Sequence, residues 1–268
     1  MTTYTEKTVL ITGASSGIGA TFARTLAAQG AHLILVARSQ DKLRGLAMSL
    51  ASQYDIHAEV LTTDLLCPEA GKELFAATQQ RGLAVDLLIN NAGFGTYGPF
   101  DRLDAEREQQ EIRLNVAAVV DLTHRFLSVM LARGSGAIIN VASTAAFQPT
   151  PYMAVYGASK AFLLSFSEAL WAEYRSKGIR VLALCPGPTR TNFFNVVGTE
   201  DAGLGAVETP EKVVQVALRA LERGRPSVIS GRQNTLQANS VRFVPRALVA
   251  RMGERLMRPG HADKQRRV

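Results

Sequence analysis

The chain has 268 residues, of which 47% are hydrophobic. This size suits one large domain whose core needs no disulfide or structural metal to stabilise it. Its two cysteines, Cys67 and Cys185, favour a reducing compartment over a disulfide framework. The N-terminus has no basic start followed by a long apolar run, and no stretch reaches about 18 apolar residues. We therefore expect no signal peptide and no spanning helix, and we predict a cytoplasmic protein.

The positive charge lies mainly at the C-terminal end. The formal net charge is +7, and residues 242–268 hold eight basic and two acidic residues, which leaves the preceding 241 residues nearly neutral. Nucleic-acid binding would depend on this tail alone, without a recognisable module, so no nucleic-acid partner is expected. No pair of the four histidines has the spacing of metal ligands, so no metal site is predicted.

Short apolar runs alternate with longer helical segments along the chain. The runs predict strands at residues 8–12, 32–37, 58–62, 86–90, 137–141, 180–184 and 227–230. Helices are predicted at about 18–29, 40–53, 69–80, 105–132, 156–176 and 210–223, the last with Thr209 as N-cap and Pro210 at its first position. Continuous rather than alternating apolar runs are typical of strands buried on both faces.

This alternation predicts an α/β fold: a Rossmann-like, doubly wound parallel sheet of about seven strands, in three αβα layers and a single domain. We assign residues 1–231 to the catalytic domain, with a substrate loop at about 189–209. Residues 232–268 form a basic C-terminal extension that is helical in pattern.

Three glycines separate the first predicted strand from the first predicted helix. Gly13, Gly17 and Gly19 follow the spacing G-x-x-x-G-x-G, where small residues let a backbone approach a dinucleotide pyrophosphate resting on helix N–H groups. An ordinary tight turn would not require three glycines. The loop therefore indicates a dinucleotide site.

The end of the second strand indicates which dinucleotide is preferred. NAD binders place an acid there for the ribose 2′-hydroxyl, but this chain has Ala37 at that position, followed by Arg38. A guanidinium can pair with a 2′-phosphate that a carboxylate would repel. A solvated arginine at a strand end is the alternative, and the missing acid favours NADP(H).

Tyr156 and Lys160 are four residues apart and share one helix face. The nearby ammonium is expected to lower the pKa of the phenol, which could then exchange a proton with a carbonyl oxygen while nicotinamide carries the hydride. Ser143, after the fifth strand, would hydrogen-bond the same oxygen. A surface tyrosine–lysine pair is the alternative, but the preceding serine and the following strand ending in Pro186-Gly187 make an accident improbable.

In these residues the chain resembles the classical short-chain dehydrogenase/reductase family. The resemblance covers about residues 7–191 and rests on TGASSGIG (12–19), NNAG (90–93), Asn115, Ser143, YGASK (156–160) and Pro186-Gly187. It implies an NADP(H)-dependent oxidoreductase that interconverts a ketone and a secondary alcohol, in a branch similar to the 3-ketoacyl and hydroxysteroid reductases. The catalytic residues it implies are Asn115, Ser143, Tyr156 and Lys160.

The resemblance also implies roles for individual residues. Lys160 would hold the nicotinamide ribose, Asn115 would support a water relay to it, and Thr191 fits the carboxamide contact better than Thr189. Asp64 would touch adenine or act as a helix cap. The implied cofactor residues are Gly13, Ser15, Ser16, Gly17, Ile18, Gly19, Arg38, Asp64, Asn90, Ala92, Gly93, Tyr156, Lys160, Pro186, Gly187, Thr189 and Thr191.

The predicted substrate side is apolar and aromatic. Residues after the strand-end motifs or in the substrate loop that could rim a pocket are Phe94, Phe147, Tyr152, Met153, Phe193 and Phe194. This set favours a lipophilic carbonyl substrate, although each residue taken singly could equally pack in the core. Substrates are not fixed by fold or branch.

The C-terminal extension has a basic amphipathic pattern. Its apolar residues at helical spacing are Leu248, Val249, Met252 and Leu256, and its arginines are Arg246, Arg251, Arg255 and Arg258. Docking on the domain or on a partner subunit is favoured over contact with an anionic membrane surface. The family resemblance implies a homodimer or homotetramer, and the tail favours the dimer.

Two rival functions fit the same fold. A regulator that senses NADP(H) without chemistry would usually lack the tyrosine or the lysine, whereas Ser143, Tyr156 and Lys160 are all present. An epimerase or dehydratase of the extended branch would favour a G-x-x-G-x-x-G loop and a longer chain with a larger substrate domain. Neither feature is found.

Overall fold

The computed structural model describes residues 4–193, 197–198 and 205–259. Seven parallel strands form one sheet in the order β3-β2-β1-β4-β5-β6-β7. The strands are β1 (Thr8–Thr12), β2 (His32–Ala37), β3 (Ala58–Thr62), β4 (Leu87–Asn90), β5 (Gly136–Val141), β6 (Ile179–Cys185) and β7 (Ser227–Ile229). The strand order reverses between β1 and β4, which is where open α/β sheets bind ligands at the carboxyl ends of their strands.

Nine α-helices cover or flank the sheet in the described part of the chain. They are α1 (Gly17–Ala27), α2 (Gln40–Tyr54), α3 (Ala70–Gln80), α4 (Ala105–Ile112), α5 (Ala118–Arg133), α6 (Ala154–Tyr174), α7 (Pro210–Glu222), α8 (Arg232–Ser240) and α9 (Arg246–Leu256). One face of the sheet packs against Phe22 of α1, Leu43 of α2 and Val213 of α7. The other face packs against Leu74 of α3 and Phe126 of α5. The predicted three-layer fold is therefore confirmed.

Most predicted elements agree with the structure to within about two residues. The first three strands begin and end where predicted, and Thr209 caps α7 by accepting a hydrogen bond from the backbone N–H of Lys212. The predicted helix at 105–132 was wrong in one respect, because a π-helical turn at Arg113–Ala117 divides it into α4 and α5. Such turns are rare, and hydrophobic periodicity does not reveal them.

The segment Ala105–Arg133 is long and apolar enough to cross a membrane by length and composition alone, although it is not a continuous apolar run. In the structure its α5 part packs against the sheet, and Leu122, Phe126 and Met130 lie in the core. A core helix of a globular domain passes the same test, so this feature is weak evidence for a membrane span.

Helix α9 docks on the domain. Val249, Gly253 and Met257 are buried, and Gly253 lies against Pro151. The Tyr97 hydroxyl donates to the backbone oxygen of Met257 at 2.6 Å. Between these buried positions Leu248, Met252 and Leu256 remain about half exposed. The extension therefore covers the segment just before α6, as the docking alternative predicted.

Candidate active site

A cleft of about 360 Å³ opens at the carboxyl ends of the strands. It brings together residues that lie far apart in the sequence, because parallel strands end at the same edge of the sheet. The predicted site residues that line it are Gly13, Ser15, Ser16, Gly17, Ile18, Arg38, Asp64, Ala92, Gly93, Ser143, Tyr156, Lys160, Pro186, Thr189 and Thr191.

The glycine loop has the geometry that a bound pyrophosphate requires. Gly13 and Gly17 have φ angles of 64° and 55°, which L-residues with side chains rarely adopt. Helix α1 starts at Gly17, and the side chain of its N-cap, Ser16, makes no capping hydrogen bond. The first N–H groups of the helix thus have no side-chain cap, and Gly17 and Ile18 line the cleft, so an anionic group bound there could accept from them.

Thr12 and Asn91 hold the glycine loop against the end of β4. The Thr12 hydroxyl accepts from the backbone N–H groups of Asn91 and Ala92, at 2.9 and 3.0 Å. The Asn91 amide donates to the backbone oxygens of Thr12 and Gly13, at 2.9 and 3.2 Å. These four hydrogen bonds fix the loop before any ligand binds, which lowers the entropy cost of binding.

The far end of the cleft is formed by the ends of β2 and β3. Arg38 is exposed there, immediately after β2. Asp64 accepts a hydrogen bond from the backbone N–H of Leu66 at 3.1 Å and so closes the turn after β3. It does not cap α3, which begins at Ala70. Asp64 lines the cleft, and its contact with adenine stays a prediction.

Ser143, Tyr156 and Lys160 meet at the opposite end of the cleft. Ser143 is the second residue after β5, and its hydroxyl hydrogen-bonds the Tyr156 side chain. Lys160 lies one turn after Tyr156 on α6, is 95% buried, and donates from Nζ to the backbone oxygen of Val141 at 2.9 Å. Its Nζ is 5.6 Å from the centroid of the Tyr156 ring. The three side chains that the resemblance assigned to catalysis therefore share one site.

The expectation that Lys160 lowers the pKa of Tyr156 was wrong. Burial raises the pKa of Tyr156 to about 12, the Ser143 hydrogen bond lowers it, and the charge of Glu111 raises it. Burial also lowers the pKa of Lys160 to about 8, while Glu111 acts in the opposite direction. Desolvation penalises the charged forms of both groups, and this exceeds the attraction expected between ammonium and phenolate.

Asn115 is fully buried on the π-helical turn and does not line the cleft. Its amide donates to the backbone oxygen of Phe94 at 2.9 Å and to Ser159 Oγ at 3.1 Å, and its Oδ1 accepts from the Phe94 N–H. It therefore ties the segment after β4 to the catalytic helix. The water relay implied by the resemblance stays a prediction.

Three predicted cofactor residues lie behind the cleft wall. The Asn90 amide bonds Thr123 and Asn140, which links β4 to α5 and β5. A Cβ on Gly19 would lie 2.4 Å from the Gly13 oxygen, and one on Gly187 would lie 2.4 Å from the Asn234 amide. These positions support the cleft by close packing and are not among the residues that line it, and their contact with the cofactor stays a prediction.

The predicted substrate rim is only partly assembled around Tyr156. The Phe193 ring lies 5.4 Å from the Tyr156 ring, and Phe193 and Met153 both approach Gly95 beside it. Phe147 packs against the small core cluster around Leu163 and is not among the residues that line the cleft. Tyr152 points to α9, where its hydroxyl meets Glu254 at 3.3 Å. Phe194 lies outside the described residues.

The cleft contains residues that the sequence did not single out. The guanidinium of Arg107 stacks 3.7 Å above the Phe94 ring, and Leu65 and Leu114 add apolar wall. Leu65 could have been found from its place just after a strand, beside Asp64. Arg107 and Leu114 lie on the α4–α5 segment, and no local signal marks them. Among the described residues, no group of three or more His, Cys, Asp or Glu side chains could hold a metal ion.

The chain is similar in sequence to several characterised proteins. The chain is 31% identical to a 7beta-hydroxysteroid dehydrogenase of Mediterraneibacter gnavus over 84% of its own length and 86% of that protein. It is 36% identical to a very-long-chain 3-oxoacyl-CoA reductase of Anas platyrhynchos and 35% identical to an inactive hydroxysteroid dehydrogenase-like protein 1 of Homo sapiens. Both matches cover 66% of this chain, but only 58% and 54% of those longer proteins.

Solved structures of the same family are also similar to this chain. A short-chain dehydrogenase from Sphingobium yanoikuyae in complex with NADPH is 34% identical, with a TM-score of 0.81 over 90% of this chain and 94% of that chain. A family model described as short chain dehydrogenase matches residues 7–202. The chain belongs to the classical short-chain dehydrogenase/reductase family, in the branch of the hydroxysteroid and 3-ketoacyl reductases.

Proposed function

We propose that the protein is an NADP(H)-dependent carbonyl reductase that interconverts a ketone and a secondary alcohol. The observation that carries this proposal is the meeting of Ser143, Tyr156 and Lys160 in the same cleft as the glycine loop. A dinucleotide site and a proton donor at its far end are the two components that a hydride-transferring oxidoreductase needs.

The residues present fit a nicotinamide dinucleotide. The positive-φ glycines and the start of α1 suit the pyrophosphate, and Thr189 and Thr191 line the cleft beside the catalytic end. When bound, the nicotinamide supplies or accepts the hydride at the substrate carbon. The protein contributes orientation, and it exchanges the proton at the substrate oxygen.

Tyr156 is the proposed acid in the direction of carbonyl reduction. Its raised pKa keeps the phenol protonated at neutral pH, so the hydroxyl can donate its proton to the carbonyl oxygen. Ser143 donates a hydrogen bond to the same oxygen. The Lys160 ammonium beside the ring stabilises the phenolate left behind. In alcohol oxidation the same groups act in reverse, and higher pH favours that direction.

NADP(H) is the proposed cofactor because of Arg38. Its exposed guanidinium lines the cleft after β2, where an acid would repel a 2′-phosphate. The NADPH complex of the Sphingobium yanoikuyae relative supports this preference.

A lipophilic substrate, such as a 3-oxoacyl or steroid-like ketone, fits the surroundings of Tyr156. Phe193 and Met153 lie beside the phenol, and Phe94 lines the cleft under Arg107. The relatives named for a hydroxysteroid and a very-long-chain 3-oxoacyl-CoA support the same class.

A non-catalytic NADP(H) sensor is the alternative, and a relative described as inactive makes it worth testing. The intact serine, tyrosine and lysine argue against it. The decisive experiment is fluorescence titration of NADPH and NADH, followed by a panel of steroid and long-chain ketones. Turnover that Tyr156→Phe abolishes supports the reductase. Tight NADPH binding without turnover of any ketone in the panel supports the sensor.

We further propose a homo-oligomer, with the dimer favoured, acting in the cytoplasm.

The docked face of α9 accounts for its buried apolar residues, and its half-exposed Leu248, Met252 and Leu256 lie among arginines. Contact of this surface with an anionic membrane is the alternative that a flotation assay addresses.

A further inference from the structure

Helix α8 places a buried asparagine behind the cleft. Asn234 lies in the first turn of α8 and is 2% exposed. Its Nδ2 donates to the backbone oxygens of Ala206 and Ser230, each at 3.1 Å, and its Oδ1 accepts from the Ala206 N–H at 2.9 Å. Both amide hydrogens and the amide oxygen are therefore used, which fixes the orientation of the side chain. Loss of this amide would leave buried backbone groups unpaired.

The asparagine also contacts one wall of the cleft directly. We call residues 186–193 the 186–193 wall, because Pro186, Thr189 and Thr191 line the cleft. A Cβ on Gly187 would lie 2.7 Å from Asn234 Cγ, so the backbone of this glycine rests on the buried amide. Asn234 is not among the described residues that line the cleft. It therefore supports the wall from behind.

A second connection runs through residues 205–208. The Glu208 N–H donates to the backbone oxygen of Pro188 at 2.9 Å, and the Glu208 backbone oxygen accepts from the Arg190 N–H at 3.0 Å. These two bonds pair Glu208 with the middle of the 186–193 wall. Asn234 binds both backbone groups of Ala206, two residues earlier. The asparagine thus holds the wall at Gly187 and also through the segment that pairs with it.

The Glu208 side chain anchors the same segment. Glu208 is 6% exposed, and its carboxylate accepts a hydrogen bond from the Ser230 hydroxyl, just after β7. Its other oxygen lies 2.5 Å from Lys212 Nζ on α7. A buried carboxylate that has both a hydroxyl and an ammonium partner is held in one position. Residues 205–208 are therefore fixed to β7, α7 and α8 before any ligand binds.

The 186–193 wall reaches the catalytic end of the cleft. The Pro186 backbone oxygen accepts from the N–H of Thr144, the neighbour of Ser143, at 2.9 Å. The Phe193 ring lies 5.4 Å from the Tyr156 ring. The ends of β2 and β3, with the proposed 2′-phosphate contact, form the opposite end of the cleft. A displaced wall would thus affect the nicotinamide half of a bound dinucleotide more than the adenosine half.

We propose that Asn234 is a positioning residue for the nicotinamide half of the cofactor and acts through the 186–193 wall. Helix α8 then belongs functionally to the cofactor site, although it lies in the C-terminal extension. This inference rests on the proposed function, because it requires a nicotinamide dinucleotide in the cleft.

Calorimetric titration with two ligands tests the proposal. One is NADPH, and the other is 2′-phospho-ADP-ribose, which has the same adenosine half but no nicotinamide ring. In Asn234→Ala we expect NADPH to bind about tenfold more weakly, as the loss of one or two net hydrogen bonds produces, and 2′-phospho-ADP-ribose to bind as in wild type. Asn239→Ala is the matched control, because its amide donates to Thr235 within α8. Both affinities should stay at wild-type values in that variant.

The two ligands separate positioning from general damage. Equal weakening of both ligands in Asn234→Ala, or an unchanged affinity for NADPH, overturns the inference. Wild type that binds neither ligand overturns the proposed cofactor and this inference with it. Wild type that binds NADPH but reduces no ketone contradicts the reductase alone, and the ligand comparison still decides the role of Asn234. Asn234→Ser, which keeps one donor in a smaller side chain, takes the place of an alanine variant that does not fold.

Gly187→Ala in two backgrounds tests the contact itself. In the otherwise wild-type chain the new Cβ meets the Asn234 amide, so the wall must shift and NADPH should bind more weakly. In Asn234→Ala, or in Asn234→Ser, the amide is gone, and we expect most of this additional loss to disappear. Full additivity of the two substitutions overturns the proposed contact between Asn234 and the wall.

Discussion

The Lys160 ammonium donates a 2.9 Å hydrogen bond to the backbone oxygen of Val141, the last residue of β5, two residues before Ser143. This bond joins α6 to the end of β5, and it places the lysine, the tyrosine and the serine at one point of the sheet edge. The catalytic arrangement thus depends on a contact between a helix and a strand end that are 19 residues apart.

Tyr156→Phe tests the proton donor. The variant keeps the ring that contacts Phe193 but loses the hydroxyl, so kcat is expected to fall by about 10²–10⁴-fold or more. NADPH affinity measured by fluorescence should stay within a few-fold of wild type. Substantial residual turnover of the same ketone would contradict the assignment of Tyr156.

Arg38→Ala tests the cofactor preference. Loss of a charge-assisted contact with the 2′-phosphate should weaken NADPH binding by about 10–100-fold, from roughly 1.5–3 kcal/mol per such contact. NADH affinity should hardly change. Arg44→Ala removes an exposed arginine of α2 that does not line the cleft, and it serves as the control. Equal losses for both nucleotides would count against the proposed contact.

Gly19→Ala tests the support of the glycine loop. Its new Cβ would lie 2.4 Å from the Gly13 oxygen and 2.6 Å from the Asn91 amide, so the loop must shift. We expect a loss of about 1–3 kcal/mol in the free energy of unfolding, together with weaker cofactor binding. Gly45→Ala has no neighbour within 4 Å and lies within α2, so it should instead stabilise the protein by about 0.5–1 kcal/mol. Urea denaturation of both variants measures the contrast.

Glu111→Gln tests a fully buried acid of α4 through its effect on stability. The carboxyl has a pKa of about 7 in the folded chain against an ordinary value of 4.5. Its ionisation therefore destabilises the folded state little below pH 4.5 and most above pH 7. Wild type should therefore lose about 2–3 kcal/mol relative to the glutamine variant between pH 4.5 and 8. Urea denaturation across this range checks the difference. A constant gap between the two proteins would show that Glu111 is not buried as an acid.

Met257→Ala and Met252→Ala test the docking of α9. Met257 is 2% exposed and Met252 is 52% exposed, so only the first substitution leaves a cavity. We expect losses of about 2–3 kcal/mol for Met257→Ala and under about 0.5 kcal/mol for Met252→Ala. Flotation with anionic vesicles tests the membrane alternative on the same proteins. Binding by wild type that Met252→Ala weakens would favour that alternative.

The sequence alone predicted the sheet, the glycine loop and the meeting of Ser143, Tyr156 and Lys160 in one cleft. Buried parallel strands appear as short apolar runs bounded by turn residues, and Tyr156 and Lys160 are related by helical spacing, which is a local property. Residues at strand ends, such as Ser143 and Arg38, could be placed together because parallel strands end at one edge of the sheet. For these residues local pattern and tertiary position coincide.

The tertiary structure decided what depends on packing between distant segments. It placed Asn90 and Gly19 behind the cleft wall, brought Arg107 over Phe94, and divided the predicted long helix with a π-turn at Asn115. It also raised the pKa of Tyr156, because burial is a property of the assembled cleft. Desolvation and side-chain contact arise between residues far apart in the chain, and no local pattern records them.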